Sequence, residues 1–222
     1  SDSWSGVNNL YVKMPNTSLY TTYSSGTQLA TEGTYSFYCK DKAGNVSATV
    51  SITLDKTKPT GRITGDANNI SQYTKASYIK FIASDSNSGV ANCYVKKPNS
   101  SSYVAYTSGT ELTAEGTYTF YCTDKAGNTS EYYTVTVDRQ APSGQLYVDG
   151  KAVSSGAYTN GKYIKFVCSD NCYVKMPDGT TYTKYVSGTE FEKVGKYVFY
   201  STDAAGNTSS NYTIIIDRTQ KK

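Results

Sequence analysis

The 222-residue chain contains no histidine. That absence removes the Ser-His and Cys-His nucleophile pairs and every zinc set that uses an imidazole, leaving all-Cys or carboxylate sites. Long apolar runs are missing as well. The longest strongly apolar run is Ile214-Ile215-Ile216, against the ~20 residues a membrane-spanning helix needs, so no membrane insertion is expected. Charge of one sign is not concentrated anywhere: 22 Lys+Arg stand against 18 Asp+Glu, a formal +4, and Lys221 and Lys222 supply two of the positives. Without a basic block there is little to attract nucleic acid. GxSxG, a phosphate loop and a carboxylate pair that breaks the sequence pattern are absent too. The expectation is no catalytic residue, no cofactor and no enzyme. The first residue is Ser1 and no signal peptide is visible, which reads as a mature product or an excised segment.

What is present is tyrosine, 23 of them, with 6 Phe and a single Trp, in a Thr/Ser-rich background. Aromatic and β-branched residues lose rotamer freedom on a helix and suit half-buried strands, so the chain reads as all-β. One unit occurs three times. GTYSFYCKDKAGNVS (33–47) returns as GTYTFYCTDKAGNTS (116–130) and GKYVFYSTDAAGNTS (195–209). Upstream, LYVKMP (10–15) matches CYVKKP (93–98) and CYVKMP (172–177), and Ser-Gly-Thr lies between the blocks at 25–27, 108–110 and 187–189. The units close on ITLD (52–55), VTVD (135–138) and IIID (214–217), and TKPTG (57–61) and QAPSG (140–144) follow the first two. Proline cannot continue a strand ladder, so boundaries are placed near 58 and 140, giving units 1–58, 59–139 and 140–222. Repeats of about 80 residues are too long for solenoid turns and right for small sandwiches. In the second unit strands are expected near 60–64 and at 77–84, 90–97, 102–107, 110–112, 117–124 and 132–138.

The Asp-Lys-Ala-Gly-Asn stretch reads as a turn between two strong strands, with Gly44, Gly127 and Gly206 in the left-handed region. The rival reading makes Asp41, Asp124 or Asp203 a calcium ligand. Calcium takes six to eight oxygens and no DxDxDG-type loop is present, so no metal site is expected.

These features together, strands ending in TDKAGN, a closing VxxD, a proline-led joint, and the SDSNSGV loop (84–90) matched by SDSWSGV (1–7), resemble the bacterial immunoglobulin-like repeats of Gram-positive surface proteins. The resemblance covers nearly the whole chain. It implies tandem immunoglobulin-like β-sandwiches, extracellular, secreted or wall-attached, working as a spacer, stalk or adhesive segment. Its partners would be other domains of the same polypeptide and a host or cell-wall glycan or protein. The third unit departs from the pattern, with SDN (169–171) in place of the longer loop and Ala204 in place of Lys.

Five cysteines, at 39, 93, 122, 168 and 172, fall on three positions of the aligned repeats. If those positions lie close together, each unit bridges whichever two it holds: Cys93 with Cys122, and Cys168 with Cys172. Disulfides imply an oxidising compartment. Cys39 has Leu10 at the second position, so it is expected to be unpaired, or to meet a cysteine just upstream of Ser1, or to bridge another molecule. Unit one also begins where unit two has already completed two strands. The uncovered sheet is then filled by an upstream segment or by a strand exchanged with another copy through residues 1–58.

Candidate ligand contacts are aromatic. The pairs Tyr20/Tyr23, Tyr103/Tyr106 and Tyr182/Tyr185 can serve as sugar-stacking planes or as core packing, and their recurrence favours the core. Trp4, in the SDSWSG loop, is a candidate anchor or a cover for a domain edge. The lysines of YVKM, YIKF and YVKK alternate with apolar residues and are expected to face solvent.

Overall fold

The computed structural model describes residues 4–66 and 70–219, and among these every regular element is a strand. The chain divides into two compact units. The first comprises residues 1–65, 79–112 and 118–134; the second comprises 66–78, 113–117 and 135–222.

The first sequence repeat supplies one sheet. Strands β1 (Val7–Lys13), β2 (Tyr20–Tyr23), β3 (Gly33–Asp41) and β4 (Val50–Leu54) take the order β2-β1-β3-β4, every pairing antiparallel. Its register sets Leu10 opposite Cys39 and Tyr35 opposite Ile52.

The second repeat begins with β5 (Thr60–Gly65), β6 (Tyr73–Thr74), β7 (Ile79–Ser84), β8 (Val90–Lys96) and β9 (Val104–Tyr106), and ends with β10 (Gly116–Asp124) and β11 (Tyr133–Val137). β5 and β7 form a two-stranded antiparallel ribbon, and the other five form a sheet in the order β6-β11-β10-β8-β9. The Phe81 ring of the ribbon stacks on Phe120 of β10 at 5.1 Å. Gly61 is required at this point, because a Cβ there would collide with the Phe81 ring. The sequence placed these strands to within two or three residues but had no signal for β6, a two-residue strand that pairs parallel with β11. The expected strand at 110–112 is reduced to a bridge between Leu112 and Ile79.

The third repeat is the most complete. Strands β12 (Gly144–Val148), β13 (Lys151–Val153), β14 (Ala157–Thr159) and β15 (Ile164–Cys168) precede β16 (Asn171–Lys175), β17 (Thr183–Tyr185), β18 (Gly195–Thr202) and β19 (Tyr212–Ile216). A three-stranded sheet β13-β12-β15 and a five-stranded sheet β14-β19-β18-β16-β17 share one apolar cluster. Leu146, Ile164 and Phe166 enter it from the smaller sheet, and Val174, Tyr197, Phe199, Ile214 and Ile216 from the larger. Alternation puts these residues on one face and leaves Thr213 and Ile215 on the other. The arrangement is sandwich-like. β14 pairs parallel with β19, as β6 does with β11, so the leading segment of each of these repeats touches both sheets. A pattern of apolar residues does not carry strand direction, which is why the parallel edges were not foreseen.

Candidate functional site

The Asp-x-Ala-Gly-Asn stretches are turns in all three repeats. The N–H groups of Gly44, Gly127 and Gly206 donate to the carbonyls of Asp41, Asp124 and Asp203, and the glycines have φ of 94°, 95° and 84°. The Asp side chain then takes the Asn backbone N–H on one oxygen and the Asn amide on the other: Asn45 on Asp41 at 2.8 and 2.7 Å, Asn128 on Asp124 at 2.8 and 2.8 Å, Asn207 on Asp203 at 2.8 and 2.9 Å. At Asp41 and Asp203 these bonds favour the ionised carboxylate. The amide of Asn45 accordingly holds the Asp41 carboxyl below its usual range, and at Asp203 burial opposes the same effect without cancelling it. The serine two residues beyond each Asn completes the turn, its hydroxyl accepting from the backbone N–H of Cys39, Cys122 or Ser201 at 2.9–3.0 Å. Sequence reasoning passed over these serines; their fixed place in AGNxS was the available signal.

Two of the turns reach back to the preceding repeat. Asn128 Nδ2 donates to the carbonyls of Asp55 (3.1 Å) and Thr57 (3.4 Å), and Asn207 Nδ2 donates to the carbonyl of Asp138 (2.9 Å). At the first of these joints three carboxylates converge. Asp55, Asp85 and Asp124 each bring an oxygen within 4.8 Å of the others, and Asp55 and Asp124 are buried. The sequence favoured Asp124 as a turn residue over a calcium ligand, and did not connect it with Asp55 or Asp85. Its two neighbours lie 69 and 39 residues earlier, so no linear motif announces the group. Backbone N–H groups already serve it: Thr57 and Ser88 on Asp55, Asn87 and Gly89 on Asp85, Ala126 and Asn128 on Asp124. Hydrogen bonds from Ser88 hold the Asp55 carboxyl below the ordinary carboxylate range. These are the residues that could hold a cation: three carboxylates carry six oxygens, against the six to eight oxygen ligands, carbonyls and waters included, that calcium takes.

The tyrosine pairs separate into two roles. Tyr106 and Tyr185 are buried, so as ligand contacts they are corrected to core residues. Each hydroxyl accepts from a ribbon amide, Phe81 N at 3.0 Å or Phe166 N at 3.2 Å, and donates to a loop carbonyl, Thr110 at 2.5 Å or Thr189 at 2.6 Å. An i, i+3 spacing on strand and loop residues puts the two rings on opposite faces. Tyr103 and Tyr182 therefore lie on the outer face, edge-on to Tyr121 (5.0 Å) and Tyr200 (4.8 Å), which stack on Tyr94 and Tyr173 at 4.8 and 4.9 Å. Tyr11, Tyr20 and Tyr38 repeat the set in the first repeat. A lysine of each YVK motif sits over the first tyrosine of the pair: Lys13 over Tyr20, Lys96 over Tyr103, Lys175 over Tyr182, at 5.4–5.7 Å. Tyr132, exposed, extends the middle set toward Tyr103 and Tyr121. Trp4 is 97% exposed.

Cys168 and Cys172 are bonded to each other, and Cys39, Cys93 and Cys122 are free thiols. The bridge expected between Cys93 and Cys122 is not formed, although the two are direct partners across β8 and β10, as Leu10 is to Cys39 and Cys172 to Ser201. Register brings the positions together, as the repeat comparison required; bonding further requires oxidation and a sulfur–sulfur approach that opposition alone does not impose. Burial pushes the Cys93 thiol up to about 11, with Cys122 adding to the shift, which disfavours the thiolate.

No family model matches the chain, and no curated protein is significantly similar to it. Among solved structures the chain is similar to the Bacteroides ovatus mixed-linkage glucan utilization locus protein SGBP-B, solved with a mixed-linkage heptasaccharide, at 14% identity and a TM-score of 0.21. The match takes in 94% of this chain and 61% of that one, so the chain spans less than two thirds of its length.

Proposed function

We propose that the chain is a non-enzymatic tandem of immunoglobulin-like β-sandwiches, with units at 1–58, 59–139 and 140–222, acting as a spacer or adhesive segment of an extracellular bacterial surface protein. The observation that carries this reading is the repeated joint. In both places the Asn of one repeat's turn grips the carbonyl at the end of the preceding repeat's last strand, Asn128 on Asp55 and Asn207 on Asp138. A side-chain bond that reaches across each short proline-bearing linker to the end of the preceding strand limits the hinge, which is what a spacer requires. The Cys168–Cys172 bond supports an oxidising compartment. The test is small-angle scattering on the parent and on Asn128→Ala/Asn207→Ala. The variant should sample a broader distribution of dimensions; identical profiles would remove the spacer argument.

A second reading is favoured by the outer-face tyrosines. Three sets of stacked and edge-on rings, each with a lysine, offer aromatic faces and a hydrogen-bond donor to a neutral or acidic sugar chain. A glycan array probed with the parent and with Tyr103→Ala/Tyr182→Ala decides it: saturable binding lost in the variant supports a glycan-binding module, and no binding by the parent rejects it.

A further inference from the structure

The first repeat carries a sheet whose apolar face is open. Ile52 is 63% exposed, whereas the residues at the same register, Val135 and Ile214, are fully buried. Leu10, Tyr23, Phe37, Cys39, Ala48 and Val50 line an apolar hollow of about 230 Å³ on this sheet. In the other two repeats the corresponding surface is covered by a ribbon, β5-β7 or β12-β15.

We propose that this face is a docking site for a two-stranded antiparallel β-ribbon of the 60–83 type, paired as β5 is with β7. The chemistry of the occupant is written twice in the same chain. Its inner strand carries a phenylalanine: Phe81 stacks on Phe120 at 5.1 Å and Phe166 on Phe199 at 5.2 Å, and Phe37 holds that register position in the first repeat. The backbone N–H of the same phenylalanine donates to the second tyrosine of the pair, Tyr106 or Tyr185. Tyr23, their counterpart, keeps the loop bond, to Thr27 at 2.7 Å, and among the described residues no backbone amide is bonded to its oxygen. A ribbon joined covalently to the sheet would have a high effective concentration at the face, which an isolated hairpin, marginal in water, lacks. One anchor is not reproduced. Tyr133 and Tyr212 accept from Gly61 and Gly144 of the outer ribbon strand, and Val50 stands in their place, so the inner strand must supply most of the hold.

The experiment places residues 59–83 in front of Ser1 of the full chain and measures hydrogen exchange by residue together with binding of an apolar dye. The expected result is slower exchange, on the order of tenfold or more, at the β3 and β4 amides, with loss of dye binding. Changing the added copy of Phe81 to Lys should abolish both. Unchanged exchange and dye binding in the fusion would overturn the proposal. A second measurement needs no fusion. Ile52→Lys in the parent should leave its melting curve unchanged, because the face is uncovered; unfolding of the first repeat would show it already occupied and overturn the proposal. So would concentration-dependent protection of the same amides in the parent, which would assign the face to a second copy.

Discussion

The first and third repeats pair equivalent positions at the same register and differ in how much water they exclude. Tyr35 pairs with Ile52 as Tyr197 pairs with Ile214, and Phe37 with Val50 as Phe199 with Tyr212. In the third repeat Leu146, Ile164 and Phe166 close over that surface from a second sheet; in the first repeat no second sheet is present among the described residues. The apolar alternation of β4 and β19 is therefore evidence of which face wants burial. It does not show that the face is buried. Burial comes from segments far away in sequence.

The largest test of this comparison is a matched pair of truncations. Ile214→Ala removes a fully buried side chain and should cost about 2–5 kcal/mol. Ile52→Ala, one repeat-equivalent away, should stay within about 0.5 kcal/mol of the parent, as surface changes do. Urea unfolding followed at each repeat by residue-resolved exchange measures both. Equal costs would break the comparison.

The joints give a second, smaller contrast. Asn128→Ala deletes one bond within its own turn and two to the preceding repeat, and leaves the buried Asp124 with one partner fewer. A loss of about 1–3 kcal/mol is expected. Asn45→Ala deletes the turn bond alone, at an exposed site, and should cost about 0.5–1.5 kcal/mol. Thermal melts of the two variants should rank in that order.

The turn glycines come next. A Cβ on Gly127 meets no atom within 4 Å, so Gly127→Val is penalised only by φ of 95°, and about 1–2 kcal/mol is expected. Gly195 is a different case, since a Cβ there would press on Pro177 at 2.5 Å as well as suffering φ of 128°. A Gly127→Val variant that melts like the parent would show that the backbone relaxes out of the left-handed region.

Strands, hairpin turns and the three-fold repeat were legible because they rest on local rules: alternation, Asx and glycine turn chemistry, proline at a joint. The proximity of the cysteine positions was legible for another reason, since a repeated chain carries its own alignment. What escaped has a common cause in tertiary contact. β6 is two residues long and held by one parallel pairing; Gly61 and Gly144 are fixed by phenylalanine rings some 20 residues away; Asp55 and Asp85 join Asp124 only once the chain has folded. The tyrosine pairs were read as a unit although an i, i+3 spacing spans both faces of a strand. Strand period alone would have split Tyr103 from Tyr106.

The smallest effect concerns pH, and it should be the same in the open and the closed repeat. The Asp41 carboxyl lies below its usual range because Asn45 donates to it, and Asp203 lies below it with Asn207 as donor and burial in opposition. A folded-state pKa below the unfolded value means that these turns stabilise the fold fully above the unfolded carboxylate value, about 3.9. The stabilisation is lost as pH falls through the folded value, and no loss is expected between pH 8 and 5 from these groups. Because the donors lie within each turn, the uncovered sheet around Asp41 should make no difference to the direction of its shift. Carboxyl carbon chemical shifts followed against pH should give midpoints below 3.9 for both residues, and Asn45→Ala and Asn207→Ala should each raise the midpoint of their own partner. If Asp41 instead titrated at the ordinary value while Asp203 did not, the turn of the first repeat would need the missing sheet to form, and the difference between the repeats would extend from the core into the hairpins.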